Sequence, residues 1–141
     1  MAFTLNTYLS FEGNCEAAFR LYQDVLGAEM EAFIPFRDSP AARDVPADWQ
    51  DKVMHACLRV GQHRLMGSDG MPGQPWPGIL GLSLSLNVTE VAEAERLFRS
   101  LAEGGTVTMP LQTTFWSPRF GMLTDRYGVP WMVNVDVPAK P

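Results

Sequence analysis

The chain has 141 residues, 46% hydrophobic and 19% charged, the balance of one water-soluble globular domain large enough to bury a core. A formal charge of −5, with Lys and Arg scattered, excludes the basic surface that nucleic-acid phosphates require. No apolar run is long enough to span a bilayer, and the opening MAFTLNTYLSF lacks the basic start and apolar centre of a signal peptide, so the cytoplasm is the expected compartment.

Residues 3–11 alternate, with Phe3, Leu5, Thr7, Leu9 and Phe11 on one side and Thr4, Asn6, Tyr8 and Ser10 on the other. Period two with one apolar face is a half-buried strand. Glu12-Gly13 turns the chain, and Asn14 is expected to cap a helix with its side-chain oxygen. Cys15, Ala18, Phe19, Tyr22, Val25 and Leu26 then follow helical spacing, and Gly27 stops the helix. A short strand at 29–36 leads into RDSPAARDVPADWQDK (37–52), a long excursion of prolines and charges with room for one helical turn. Val53 to Val60, a turn at Gly61-Gln62 and Arg64 to Ser68 read as a hairpin. The Gly- and Pro-dense residues 70–78 read as a linker.

The pattern then restarts. Leu80, Leu82, Leu84 and Leu86 alternate with Gly81, Ser83, Ser85 and Asn87, and Thr89 is a plausible cap. A helix follows with Val91, Ala94, Leu97, Phe98 and Leu101 inward, ended by Gly104-Gly105. After it come a strand at 106–112, the loop QTTFWSP, and a hairpin turning at Asp125-Arg126-Tyr127-Gly128. The order is βαβββ twice, an internal repeat. The fold class is therefore α+β: one domain over 1–141, with module one at about 3–69, the linker at 70–78 and module two at about 79–137. Two such modules can bury their helix-facing sides and curl the other sides into an open eight-stranded cup. The alternative is an ordinary two-layer sandwich.

Three segments, YLSFEGNCEAAFRLYQDVLGAE (8–29), VMHACLRVGQHRLMGSD (53–69) and FWSPRFGMLTDRYGVPWM (115–132), resemble the vicinal oxygen chelate superfamily. That superfamily holds glyoxalase I, bleomycin-resistance proteins and extradiol dioxygenases, and the PhnB-like branch is most similar. The methyltransferase label of some branch members finds no Gly-rich nucleotide loop here. The resemblance implies the glyoxalase-like cup with its helices outside, a homodimer, and in the enzymes a divalent metal held from four strands. Those four positions fall near Asn6 (with Tyr8 as the alternate), Met66, Ser83 and Met132. Hard divalent ions take carboxylate, carbonyl or imidazole donors, and thioethers do not supply them. The expectation is therefore no metal and no cofactor.

Two functional readings stand side by side. The first is a metal-free cup that binds a small aromatic or amphipathic molecule; the second is a metal-dependent glyoxalase-like lyase, isomerase or dioxygenase. The ligand-binding candidates are Tyr8, His55, Met66, Ser83, Trp116, Arg119 and Met132. Tyr8 and Ser83 lie on the polar sides of the opening strands, suited to a hydrogen-bonding floor or to plain solvation. His55 and Cys57 share a strand face and suit half of a metal or nucleophile site, or a partly buried histidine bonded to a backbone carbonyl beside an ordinary thiol. General acid–base chemistry would rest on His55 or Tyr8. Cys15 and Cys57 make neither a disulfide framework nor zinc spacing and are expected to be reduced, partly buried thiols. Trp116 with Arg119 suits a planar or anionic ligand, or a subunit contact. Met66 and Met132 offer soft surface that adapts to ligand shape.

Overall fold

The computed structural model describes residues 2–136, and the expected end of the second module at 137 lies outside them. The first module runs β1 (Thr7–Phe11), α1 (Cys15–Leu26), β2 (Glu29–Pro35), three short 3-10 turns within residues 36–49, β3 (Val53–Val60) and β4 (His63–Asp69). The second runs β5 (Leu84–Val88), α2 (Val91–Ala102), β6 (Thr106–Gln112), β7 (Phe120–Thr124) and β8 (Pro130–Val135). The fold is thus α+β, two βαβββ modules, with the chain dividing into compact units between Gly78 and Ile79. Hydrogen bonding groups the strands as two sheets of four, ordered β1-β4-β3-β2 and β5-β8-β7-β6. In each, the opening strand runs parallel to the closing one and every other pair is antiparallel.

Each helix covers one face of its own sheet. Cys15, Ala18, Phe19, Tyr22 and Val25 of α1 are buried, as are Ala94, Leu97, Phe98 and Leu101 of α2, the positions that helical spacing selects. Glycines set how close the helices come. A Cβ on Gly67 of β4 would lie 2.8 Å from the Phe19 ring, and one on Gly121 of β7 would lie 2.6 Å from the Phe98 ring. Each helix therefore drops an aromatic onto bare strand backbone, where any side chain would lift it off.

Several local expectations need correction. The opening strands are shorter than the alternation suggests. Phe3, Leu5, Leu80 and Leu82 precede them and are exposed, because alternation marks sides but not where a pairing partner begins. Asn14 does not cap α1 with its side chain, and its Oδ1 is buried without a partner. The free N–H groups there go to Asp69 at the end of β4, whose Oδ1 accepts from Gly13 N at 2.8 Å and Cys15 N at 3.0 Å. Its Oδ2 accepts from Val53 N at 2.9 Å. A carboxylate accepts more strongly than an amide and favours the positive end of the helix. Thr89 is likewise not a cap: Glu90 occupies that position and makes no side-chain bond.

The turn at Asp125-Arg126-Tyr127-Gly128 forms as expected, closed by Gly128 N donating to Asp125 O at 3.0 Å with Gly128 at φ +90°. The buried Asp125 carboxylate fixes it, accepting from Tyr127 N, Val129 N and the Trp131 indole. Among the described residues no helix is long and apolar enough to cross a membrane.

Candidate functional site

Directly opposed residues on paired strands share a sheet face. In the first sheet, Tyr8 opposes Met66, Met66 opposes Cys57, and Cys57 opposes Ala32. This row lies on the face away from α1, since the neighbours Leu9, Leu65, Ala56 and Leu58 are buried on the other. His55 lies two residues along β3 from Cys57 and joins the row. Tyr8 Oη stands 3.2 Å from His55 Nδ1, the donor set by the imidazole tautomer, and the two rings stack at 5.8 Å and 24°. Tyr8, His55 and Met66 are therefore brought together. The Cys57 thiol is buried, and burial, with Glu31 assisting against Arg64, raises its pKa. It sits there as a neutral, weakly nucleophilic group.

The matching row of the second sheet is more uniform. Ser85 opposes Met132, Met132 opposes Met122, and Met122 opposes Met109. Three half-buried thioethers thus stand side by side on three strands, away from α2. The next row holds Asn87, Asn134, Phe120 and Gln112. Asn134 Nδ2 donates to Asn87 Oδ1 at 3.2 Å and Asp136 Oδ1 at 3.1 Å, which fixes how the amide is turned. Trp116 packs edge-on against Phe120 at 5.1 Å, and against Phe115, which is 97% exposed, at 4.7 Å.

The second group of candidates separates. Ser83 is exposed and stands one residue before β5, so Met132 has Ser85 beside it instead. Arg119 parts from Trp116. Its Nη1 donates to Thr113 Oγ1 at 3.1 Å and to Pro118 O at 3.0 Å, and its Nε lies 4.0 Å from Glu95 Oε1 on α2. The guanidinium braces the loop on the helix side of the sheet. The Thr114 hydroxyl accepts from Ser117 N at 3.1 Å, and the buried Ser117 hydroxyl donates to Arg119 O and Val135 O, which holds that loop to β8.

Sequence reasoning missed Met109 and Met122 as site residues. The signal was available for Met122, which alternates with the buried Gly121 and Leu123 on β7, but not for Met109, because a register shift between Val107 and Met109 breaks the alternation of β6. Asp69 gave no such signal, because its partners lie far along the chain. Cys15 and Cys57 are free and buried.

A family model described as the Glyoxalase/Bleomycin resistance protein/Dioxygenase superfamily matches residues 4–133. Protein YjdN of Escherichia coli K12 is 40% identical over 139 residues, covering 93% of this chain and 94% of that one. The crystal structure of protein PA1353 from Pseudomonas aeruginosa is 56% identical with a TM-score of 0.88, covering 96% of this chain and 98% of that one. A PhnB protein from Bacillus cereus is 25% identical with a TM-score of 0.81, covering 94% of this chain and 99% of that one.

Proposed function

Since the chain belongs to the glyoxalase/bleomycin resistance protein/dioxygenase superfamily, we propose that it is a PhnB-like member that binds a small aromatic or amphipathic molecule on its thioether-lined sheet faces, without the divalent-metal centre of its catalytic relatives. The observation that carries this reading is the row Ser85, Met132, Met122 and Met109, flanked by Phe120 and Trp116. Methionine has three rotatable bonds and a polarisable sulfur, so such a row moulds to an apolar ring. Asn87 and Asn134 add polar groups at its margin, and on the first sheet Tyr8 and His55 do the same beside Met66, the mix typical of small-molecule sites.

The residues present do not fit a hard divalent ion. The strand positions that the resemblance assigns to such an ion carry Tyr8 and Met66 on the first sheet, where His55 stands beside Tyr8, and Ser83 (with Ser85 the residue paired to Met132) and Met132 on the second. Among the described residues no three His, Cys, Asp or Glu side chains are grouped to hold a metal. Two thioethers, a phenol and a hydroxyl bring no negative charge to offset dehydration of the ion.

The test is a thermal-shift screen of aromatic amphipaths, with elemental analysis of untagged protein. A binder at saturation is expected to add about 2–4 kcal/mol, and Met122→Ala with Met132→Ala to remove that gain. Stoichiometric Zn, Mn, Fe or Ni, or a panel that leaves stability unchanged, overturns the reading. The same reading takes the protein as a homodimer, supported by the exposure of Phe3, Leu5, Leu80 and Phe115 at 69%, 94%, 79% and 97%. Light scattering at 15.7 kDa would contradict it.

A further inference from the structure

A cavity lies within the first compact unit, Met1–Gly78, between the first module and the start of the linker, apart from the methionine row. It encloses about 290 Å³ between the strap that follows β4 and the loop that precedes β3. Its lining includes Glu12, Trp49, Met71, Pro72, Gln74 and Trp76. We infer that it is a binding site for a quaternary ammonium group.

The walls are fixed before any ligand arrives. Gly70 N donates to Phe11 O at 2.9 Å, and the Trp76 indole N–H donates to Ser10 O at 2.9 Å, which ties the strap to β1. The Trp49 indole N–H donates to Gly70 O at 3.0 Å, which ties the other loop to the strap. Both indoles have therefore spent their only polar hydrogen on the backbone, and what they present to the cavity is ring surface. A cation is attracted to that surface by the ring quadrupole. Lys52 already uses this attraction, with Nζ 5.9 Å from the Trp49 ring centre while it donates to Gly13 O at 2.9 Å.

Charge and hydrogen bonding narrow the class of cation. Glu12 is the one charged side chain in the lining. Lys52 is not among the lining residues, and the buried Asp69 carboxylate is taken up by three backbone N–H groups, so Glu12 alone sets the sign of the lining. The sign favours a cation. A primary ammonium or a guanidinium carries several N–H groups that each need an acceptor, and the strong side-chain acceptors in the lining are the Glu12 carboxylate and the Gln74 amide alone. A quaternary ammonium has no N–H to satisfy, so it loses less on leaving water than a primary ammonium does, and ring surface offsets part of that cost. The volume, at the lower end for ligand sites, suits a head group better than a drug-sized molecule.

Choline chloride is titrated into the intact protein while the four tryptophan indole N–H resonances are followed by NMR. Its neutral isostere dimethylbutanol, with carbon in place of nitrogen, is titrated in parallel at matched ionic strength. Saturable shifts are expected for Trp49 and Trp76, but not for the buried Trp131, with choline about tenfold tighter than the isostere. Glu12→Gln alters an exposed side chain, so it tests charge without threatening the fold. It is expected to abolish most of the preference for choline while leaving the isostere unchanged. Equal affinity for the two compounds, choline binding undiminished in Glu12→Gln, or no saturable shift would each overturn the inference. None of these outcomes bears on the methionine rows, which belong to other strands and other faces.

Discussion

The two modules share one topology and anchor it differently. Strand pairing makes Asp69 and Val135 equivalent: Phe11 opposes Asp69 at the end of the first parallel pair, and Val88 opposes Val135 at the end of the second. In module one that position is a buried carboxylate joining a helix start to β3. In module two it is a buried apolar residue, α2 starts without a side-chain cap, and the buried carboxylate has moved to the hairpin turn as Asp125. The same holds on the opposite faces, where Tyr8, Met66, Cys57 and Ala32 correspond to Ser85, Met132, Met122 and Met109. The fold needs a polar anchor somewhere in each module, but its place is free. The faces away from the helices differ likewise, mixing phenol, thioether and thiol in one copy and setting three thioethers abreast in the other.

The largest test of this contrast removes the anchors. Asp69→Ala orphans three backbone N–H groups and is expected to cost about 3–5 kcal/mol in denaturant unfolding. Hydrogen exchange should then speed up in α1 and β3 while α2 keeps its protection. Asp125→Ala should cost about 2–4 kcal/mol, with the loss confined to β7 and β8. If either variant loosens both modules equally, the anchors are not module-specific. Gly67→Ala and Gly121→Ala should each cost about 1–3 kcal/mol, because the new methyl meets the Phe19 or Phe98 ring. Phe98→Leu should recover part of the Gly121→Ala loss, and a purely additive double variant would refute the contact.

A pH dependence separates the modules more finely, since both cysteines lie in the first. Burial, reinforced by Asp69 and then Glu16, pushes the Cys15 thiol far above its ordinary value of 9.0. Its folded-state pKa is raised, so the neutral form contributes fully below pH 9, and stability falls as pH rises past the point where the unfolded thiol ionises. Cys15→Ala should flatten that alkaline slope while costing stability at neutral pH. Urea unfolding across the range measures both. The smallest effect is expected at Arg119. Arg119→Ala removes a half-exposed brace, should cost about 0–1 kcal/mol, and should leave any ligand affinity unchanged. A large affinity loss would return the guanidinium to the ligand face.

How much of this was legible follows from the range of each interaction. The helix positions were readable because period and burial are one fact seen twice: Phe19 and Phe98 face inward in both. The turn at Asp125 was readable because its partners lie within six residues. Asn14 misled because its type and position suit a cap, while the actual acceptor comes from Asp69, over fifty residues away. Ser85, not Ser83, pairs with Met132, which could not be read beforehand because alternation gives parity and not register, and a shift of two keeps the face while changing the neighbour. Arg119 beside Trp116 in sequence looked like a joint feature, yet they serve opposite sides of the sheet.

By itself the sequence determined the α+β repeat and its element order, because patterns of period two and 3.6 are local and each βαβββ unit writes them out in full. It also showed that Tyr8, Met66, Ser83 and Met132 bring neither carboxylate nor imidazole, since that is a property of residue type. Tertiary structure alone decided which side chains stand together: Tyr8 with His55, three methionines abreast, and two indoles pinned around a small cavity. Those juxtapositions depend on strand register and loop closure, which are settled by contacts between distant residues, and no local period records them.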